Sequence, residues 1–93
     1  MDNIISKEKL EKYFKLTSNA LGKVKKKIIK GKESEAKEII EMASNYVSDA
    51  EYFREKEDFV NAFASLNYAH GWIDSGVRLG IFDVNDNRLF TVK

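Results

Sequence analysis

The sequence predicts an all-α fold, an up-and-down three-helix bundle with a short irregular or hairpin-like C-terminal tail. Three observations carry this. The 93 residues contain no Pro, the usual helix breaker. Apolar residues recur at three- and four-residue intervals along most of the chain. The breaks between these runs are two or three residues long, which makes neighbouring helices antiparallel.

The first helix is expected over about residues 7–30. Ser6 is a suitable N-cap, and Glu8 lies in the first turn, where the helix dipole favours an acid. Its apolar stripe is Leu10, Phe14, Thr17, Leu21, Val24 and Ile28. Gly22 falls inside it at a cost of about 1 kcal/mol relative to Ala. Gly31 follows as the residue expected to leave the helix with positive φ.

The second helix is expected over about 34–56, with the stripe Ala36, Ile39, Ile40, Ala43, Tyr46, Val47, Ala50 and Phe53. Asp58 then caps a third helix over about 59–79, with the stripe Phe63, Leu66, His70, Ile73 and Val77. Gly80 ends it, and Ile81 is placed for the hydrophobic contact that accompanies such an end. Folding the third helix back on the second at 57–58 sets Phe53 against Phe63, Ala50 against Leu66, Tyr46 against His70 and Ala43 against Ile73. Folding the second on the first at Lys32 sets Phe14 against Ala50, Leu21 against Ala43 and Ile28 against Ala36. Large meets small in most layers, as interdigitation requires. Ala62, Ala69 and Gly76 form a further row of small residues on the third helix, permitting close approach of a neighbour. The tail, 81–93, carries the turn signal Asn85-Asp86-Asn87. Two strands alone are marginal, so the tail is expected to dock on the bundle.

A single domain over 1–93 fits this length. At 43% hydrophobic the chain is too apolar for a disordered tail. With no Cys it has neither a disulfide framework nor a zinc knuckle, and its one His disfavours a histidine metal site. No apolar run reaches transmembrane length. The opening Met1-Asp2-Asn3-Ile4-Ile5-Ser6-Lys7 lacks the pattern of a signal peptide, so a cytoplasmic location is expected, with no membrane partner. No phosphate-loop, dinucleotide, zinc-protease or nucleophile-elbow motif is present. Asp83, Asn85 and Asn87 imitate the start of a calcium loop, but Arg88 stands where Gly is needed, so neither metal nor cofactor is expected.

The charges are segregated. Residues 1–32 carry ten Lys and three acids, residues 33–58 three bases and nine acids, and residues 59–93 three of each. Lys23, Lys26, Lys27 and Lys30, with Lys25 and Lys32, resemble a phosphate-contacting patch, so a nucleic-acid-binding accessory role is the second functional reading. Against it, cations at a helix C-terminus suit the dipole, Glu33, Glu35, Glu38 and Glu41 follow at the same end, and no aromatic residue lies between the lysines for base stacking.

His70 on the apolar stripe is read as a core histidine bonded to Tyr46 in preference to a general base. With Asp49, Asn67 and Asp74 these two form an expected polar strip that fixes register. An enzyme using His70 with Asp49 or Asp74 is the third reading. Tyr68, Trp72, Ser75 and Leu79 share another face of the third helix. Buried, they are core; exposed, Tyr68 and Trp72 are interface anchors.

The stretch Tyr46-Val-Ser-Asp49-Ala50 to Phe53, then Asn61-Ala-Phe-Ala-Ser-Leu-Asn-Tyr-Ala-His-Gly-Trp-Ile-Asp-Ser-Gly-Val-Arg-Leu-Gly80-Ile-Phe82, resembles the archaeal family known as domain of unknown function 357. The run from Asn67 to Gly80 is its specific part. The resemblance implies a small helical bundle of archaeal origin and no activity. It singles out Asp49, Asn67, Tyr68, His70, Trp72, Asp74 and Arg78 as matching the family's motif. The aromatics around the third helix and the absence of catalytic motifs make the first functional expectation a non-enzymatic module that binds a protein partner or a second copy of itself through the third helix and the tail.

Overall fold

A computed structural model describes residues 5–86 and 88–90. Residues 1–4, Asn87 of the turn signal and residues 91–93 of the expected tail lie outside the described residues. Three helices, α1 (Lys7–Lys25), α2 (Glu33–Glu55) and α3 (Phe59–Arg78), form an all-α bundle with extents of 45 × 23 × 16 Å.

Local chemistry sets most of the ends. Ser6 accepts a hydrogen bond from the Lys9 N–H at 3.1 Å, and Asp58 accepts one from the Asn61 N–H at 3.2 Å. At the end of α3 the Ile81 N–H donates to the Gly76 carbonyl and the Gly80 N–H to Val77, with Gly80 at φ 77°. The α2–α3 link has the same form. The Asp58 N–H donates to Phe53 and the Glu57 N–H to Arg54, but here the left-handed residue is Glu57, φ 59°, which bears the β-carbon penalty that Gly80 avoids. Asp58 thus closes one helix and opens the next. The link between α1 and α2 turns at Gly31, φ 93°, whose N–H is held by the Glu33 carboxylate.

The first helix is shorter than expected. It stops at Lys25, not near Lys30. Continuing it would set Lys23 over Lys27 and Lys26 over Lys30, like charges at a destabilising spacing. Ile28 and Ile29 are β-branched and suit extended backbone. They take it: Ile28 bridges to Phe82, the Ile29 N–H donates to Ile81, and the Asp83 N–H donates to Lys27. Ile28 therefore leaves the apolar stripe and is partly exposed, so its expected layer with Ala36 does not form. Gly31 serves the start of α2 in place of the end of α1.

Two clusters make the core. Leu10, Phe14, Ala50, Ala62 and Leu66 fill the Ser6 end. The other contains Leu21, Val24, Ile39, Ala43, Ala69 and Ile73, together with Ile81, Phe82 and Phe90 of the tail. The tail thus docks as expected, and contributes core side chains. α2 and α3 pair most closely, and α1 lies more on α3 than on α2. Near the Ser6 end Arg54 of α2 lies over the Phe14 ring and reaches both Glu11 carboxylate oxygens, at 3.0 and 3.2 Å.

Gly76 is where the tail meets the bundle. A β-carbon there would stand 2.5 Å from Cε2 of Phe82 and 3.0 Å from Cδ1 of Ile39. Gly76→Ala should displace the Phe82 ring and cost about 1–3 kcal/mol by overpacking. Glu57→Gly relieves the left-handed penalty and should give a net gain of about 0.5–1 kcal/mol after the unfolded-state entropy of Gly. Urea unfolding of the two variants should move the midpoint in opposite directions.

Candidate functional site

α3 carries most of the candidate positions, and its sides differ. The side toward α1 holds His70. The Nε2–H of His70 donates to the Leu89 carbonyl, which fixes Nδ1 as the acceptor of the Thr17 hydroxyl at 3.2 Å. Thr17 is buried, so this bond satisfies a polar group within the α1 interface. The imidazole thus ties α1, α3 and the tail together. Asp74, one turn on, places Oδ1 4.0 Å from Nε2. With Asn67, Tyr13 and Leu16 these residues line a shallow hollow of about 270 Å³.

This corrects the expected register. His70 does not face Tyr46. The Tyr46 ring stacks instead on Tyr68, with centroids 5.3 Å apart and planes at 24°. Asp49 is exposed on α2. The expected polar strip is therefore divided. Asn67, His70 and Asp74 turn toward α1, while Tyr46 packs beside Tyr68 at the α2 seam. The fold-back at 57–58 brings Ala50 and Leu66 into one cluster and Ala43 and Ile73 into the other, but it carries no information on which flank each side chain takes.

The outward side of α3 carries Tyr68, 63% exposed, Leu79, 72% exposed, and Trp72, 36% exposed, with Val60 one end further on. α3 has only two charged residues. Asp74 turns to the α1 hollow, and exposed Arg78 lies in the last turn. Between the large side chains lie Ala64, Gly71 and Ser75, and the Ser75 hydroxyl donates to the Gly71 carbonyl at 2.9 Å.

A third location lies at the end of α1. Lys23, Lys26 and Lys27 line an open groove of about 810 Å³ whose other wall is the tail, through Asp86, Arg88 and Leu89. Lys30, past the helix end, does not line it. Sequence reasoning missed Arg88 and Asp86, because nothing local shows that the tail returns to α1. The Asp86 carboxylate accepts from the Arg88 N–H at 3.0 Å and from Lys23 Nζ at 3.1 Å, with Arg88 Nε at 3.3 Å. The backbone N–H of Arg88, then the Lys23 ammonium and the Arg88 guanidinium, hold this carboxyl down to about 2 from an ordinary 3.8.

Among the described residues, no group of three His, Asp or Glu side chains is placed to hold a metal ion, and no helix is long and apolar enough to cross a membrane. The family described as protein of unknown function, DUF357, matches residues 12–82 of the chain. No curated protein and no solved structure matches it.

The Asp86 contacts make tail docking acid-sensitive. A carboxyl whose folded pKa is depressed stabilises the folded form above its unfolded value, and loses that contribution as pH falls through the folded one. Docking should therefore weaken as pH drops from about 4 to about 2. The amide of Phe90, which donates to the Asp86 carbonyl, reports it by NMR exchange rates. In Asp86→Asn this acid-dependent component should vanish, and Phe90 should already exchange faster at neutral pH.

Proposed function

The chain belongs to the DUF357 family of proteins of unknown function, and we propose that it is a non-enzymatic self-association module, in which the outward side of α3 packs on the same side of a second copy. The observation that carries this reading is the exposed set Tyr68, Trp72 and Leu79 on a helix with almost no surface charge. Contiguous exposed apolar and aromatic surface of this kind marks interaction sites.

A second copy fits better than an unrelated partner because a two-fold interface sets each surface against itself. Self-pairing through the lysine-rich end of α1, or through the acidic α2, would set like charges together. The α3 side avoids that cost. It also offers both halves of a fit, with Tyr68, Trp72 and Leu79 as projections and Ala64, Gly71 and Ser75 as recesses between them. The Ser75 hydroxyl already has an acceptor within its own helix, so covering it orphans no donor. Tyr68 is already ordered against Tyr46, which lowers the entropy lost on docking. The apolar tail residues Ile81, Phe82 and Phe90 are buried in the bundle, so the reading rests on α3 rather than on the tail.

The nucleic-acid reading has less support. Among the described residues no aromatic ring lines the lysine groove for base stacking, and Lys30 stands outside it. An enzymatic role for His70 would require a ring nitrogen to leave a structural hydrogen bond.

A 20-residue helix offers a contact strip about 30 Å long, at the small end of specific interfaces. The dimer should therefore be reversible, with Kd in the micromolar range. Sedimentation velocity from micromolar to millimolar concentration should show monomer passing to dimer. Tyr68→Lys and Leu79→Lys should each hold the chain as a monomer with an unchanged far-UV CD spectrum. A native chain that stays monomeric at millimolar concentration would remove this reading.

A further inference from the structure

We propose that the groove between the end of α1 and the tail binds a compact diphosphate-bearing small molecule, a site separate from the α3 surface and independent of self-association. Among the described residues four cations line it from two distant segments, Lys23, Lys26 and Lys27 at the end of α1 and Arg88 from the tail, against the carboxylate of Asp86. That surplus matches the charge of a diphosphate at neutral pH. The groove, about 810 Å³, has the capacity of a small-molecule site.

The helix dipole accounts for lysines at the end of α1. It does not account for the other features. Gly22 lies within α1 on the groove wall, where Gly costs about 1 kcal/mol relative to Ala. Nothing lies within 4 Å of where its β-carbon would be, so packing within the chain does not call for a Gly here. Its effect is to leave space in the groove at the level of the lysines. Ser18 and Asn19, one turn earlier, add neutral hydrogen-bond donors to the same wall. Arg88 arrives from a tail anchored by Phe82 and Phe90, and Asp86 holds Lys23 and Arg88 together before any ligand enters. Lys26 and Lys27 make no ion pair among the described residues, so they are available to an incoming anion. Asp83 does not line this groove; it lies in an adjoining hollow of about 160 Å³ that shares Lys23, Lys27 and Asp86 with it.

A compact ligand fits better than a strand. The cations cluster within one groove instead of tracking along the molecule, and among the described residues the wall offers Leu89 but no aromatic ring. A guanidinium and three ammonium groups lining one groove suit adjacent phosphates, the fork of Arg88 being able to bind in bidentate fashion and the lysines acting as point charges.

The test is calorimetric titration of the full chain at low salt with pyrophosphate, inorganic phosphate and a twelve-residue oligothymidylate. Pyrophosphate should bind about tenfold or more tightly than phosphate, weakening as salt is raised. The double variant Lys26→Gln/Lys27→Gln should lose about tenfold or more. Gly22→Gln should lose a similar factor while raising the melting temperature, a combination that a purely structural role for Gly22 would not give. The proposal is overturned if pyrophosphate gives no saturable binding, if Gly22→Gln binds as well as the native chain, or if the oligonucleotide binds about tenfold more tightly than pyrophosphate, which would make the groove a nucleic-acid surface.

Discussion

The bare backbone at Gly76 fixes the position of everything that follows α3. With no β-carbon there, the Phe82 ring lies directly on the helix beside Ile39. Gly within a helix costs about 1 kcal/mol, and full burial of a Phe side chain returns about 1.5–3 kcal/mol, so the exchange favours the Gly. Seating Phe82 sets residues 81–83 beside 27–29, and the extended pairing there ends α1 at Lys25. From that anchor the tail runs back along the bundle. It brings the Leu89 carbonyl to His70 and Asp86 to Lys23. Both the imidazole tie and the lysine groove are thus consequences of one close approach.

Charge is arranged around this framework on two scales. The basic end of α1 and the acidic start of α2 are neighbours through the turn at Gly31. Yet among the described residues the α1 lysine that forms an ion pair does so with Asp86 of the tail, not with an α2 glutamate. The α2 acids act on the lysines as a field, weakened by solvent and salt. At the far end the contact is local and specific, with Arg54 on Phe14 and on both oxygens of Glu11. α3 takes part in neither arrangement, which is why its outer side is left apolar.

Much of the architecture was legible because it depends on local chemistry. Ser6, Asp58 and Gly80 act where their side chains, or the lack of one, dictate. The apolar stripes named Leu10, Phe14, Leu21, Val24, Ile39, Ala43, Leu66 and Ile73 as core, and they are buried. The extent of α1 was not legible, because periodicity alone extends it to Ile28. Only pairing with a segment more than fifty residues away converts Ile28 and Ile29 to extended backbone. The partner of His70 was missed for a related reason. A fold-back register relates positions along two helices, whereas the flank a residue occupies depends on where the third helix sits. The row Ala62, Ala69 and Gly76 was recognised as a place of close approach, and the tail, rather than a helix alone, supplies the occupant at Gly76.

The imidazole tie has a consequence for the order of assembly. α2 and α3 are joined by a short turn and meet along their length, so their contacts close small loops and form at little entropic cost. α1 is secured differently. Thr17 reaches His70 across 53 positions and Lys23 reaches Asp86 across 63. During synthesis α1 leaves the ribosome first, yet these anchors do not exist until residues 70–90 have followed. The Ser6 end of α1 can meet α2 through Arg54 once residue 54 has been made, but its Lys25 end is secured latest, and in the interval the apolar residues of that end are the surface of the nascent chain that a chaperone would meet.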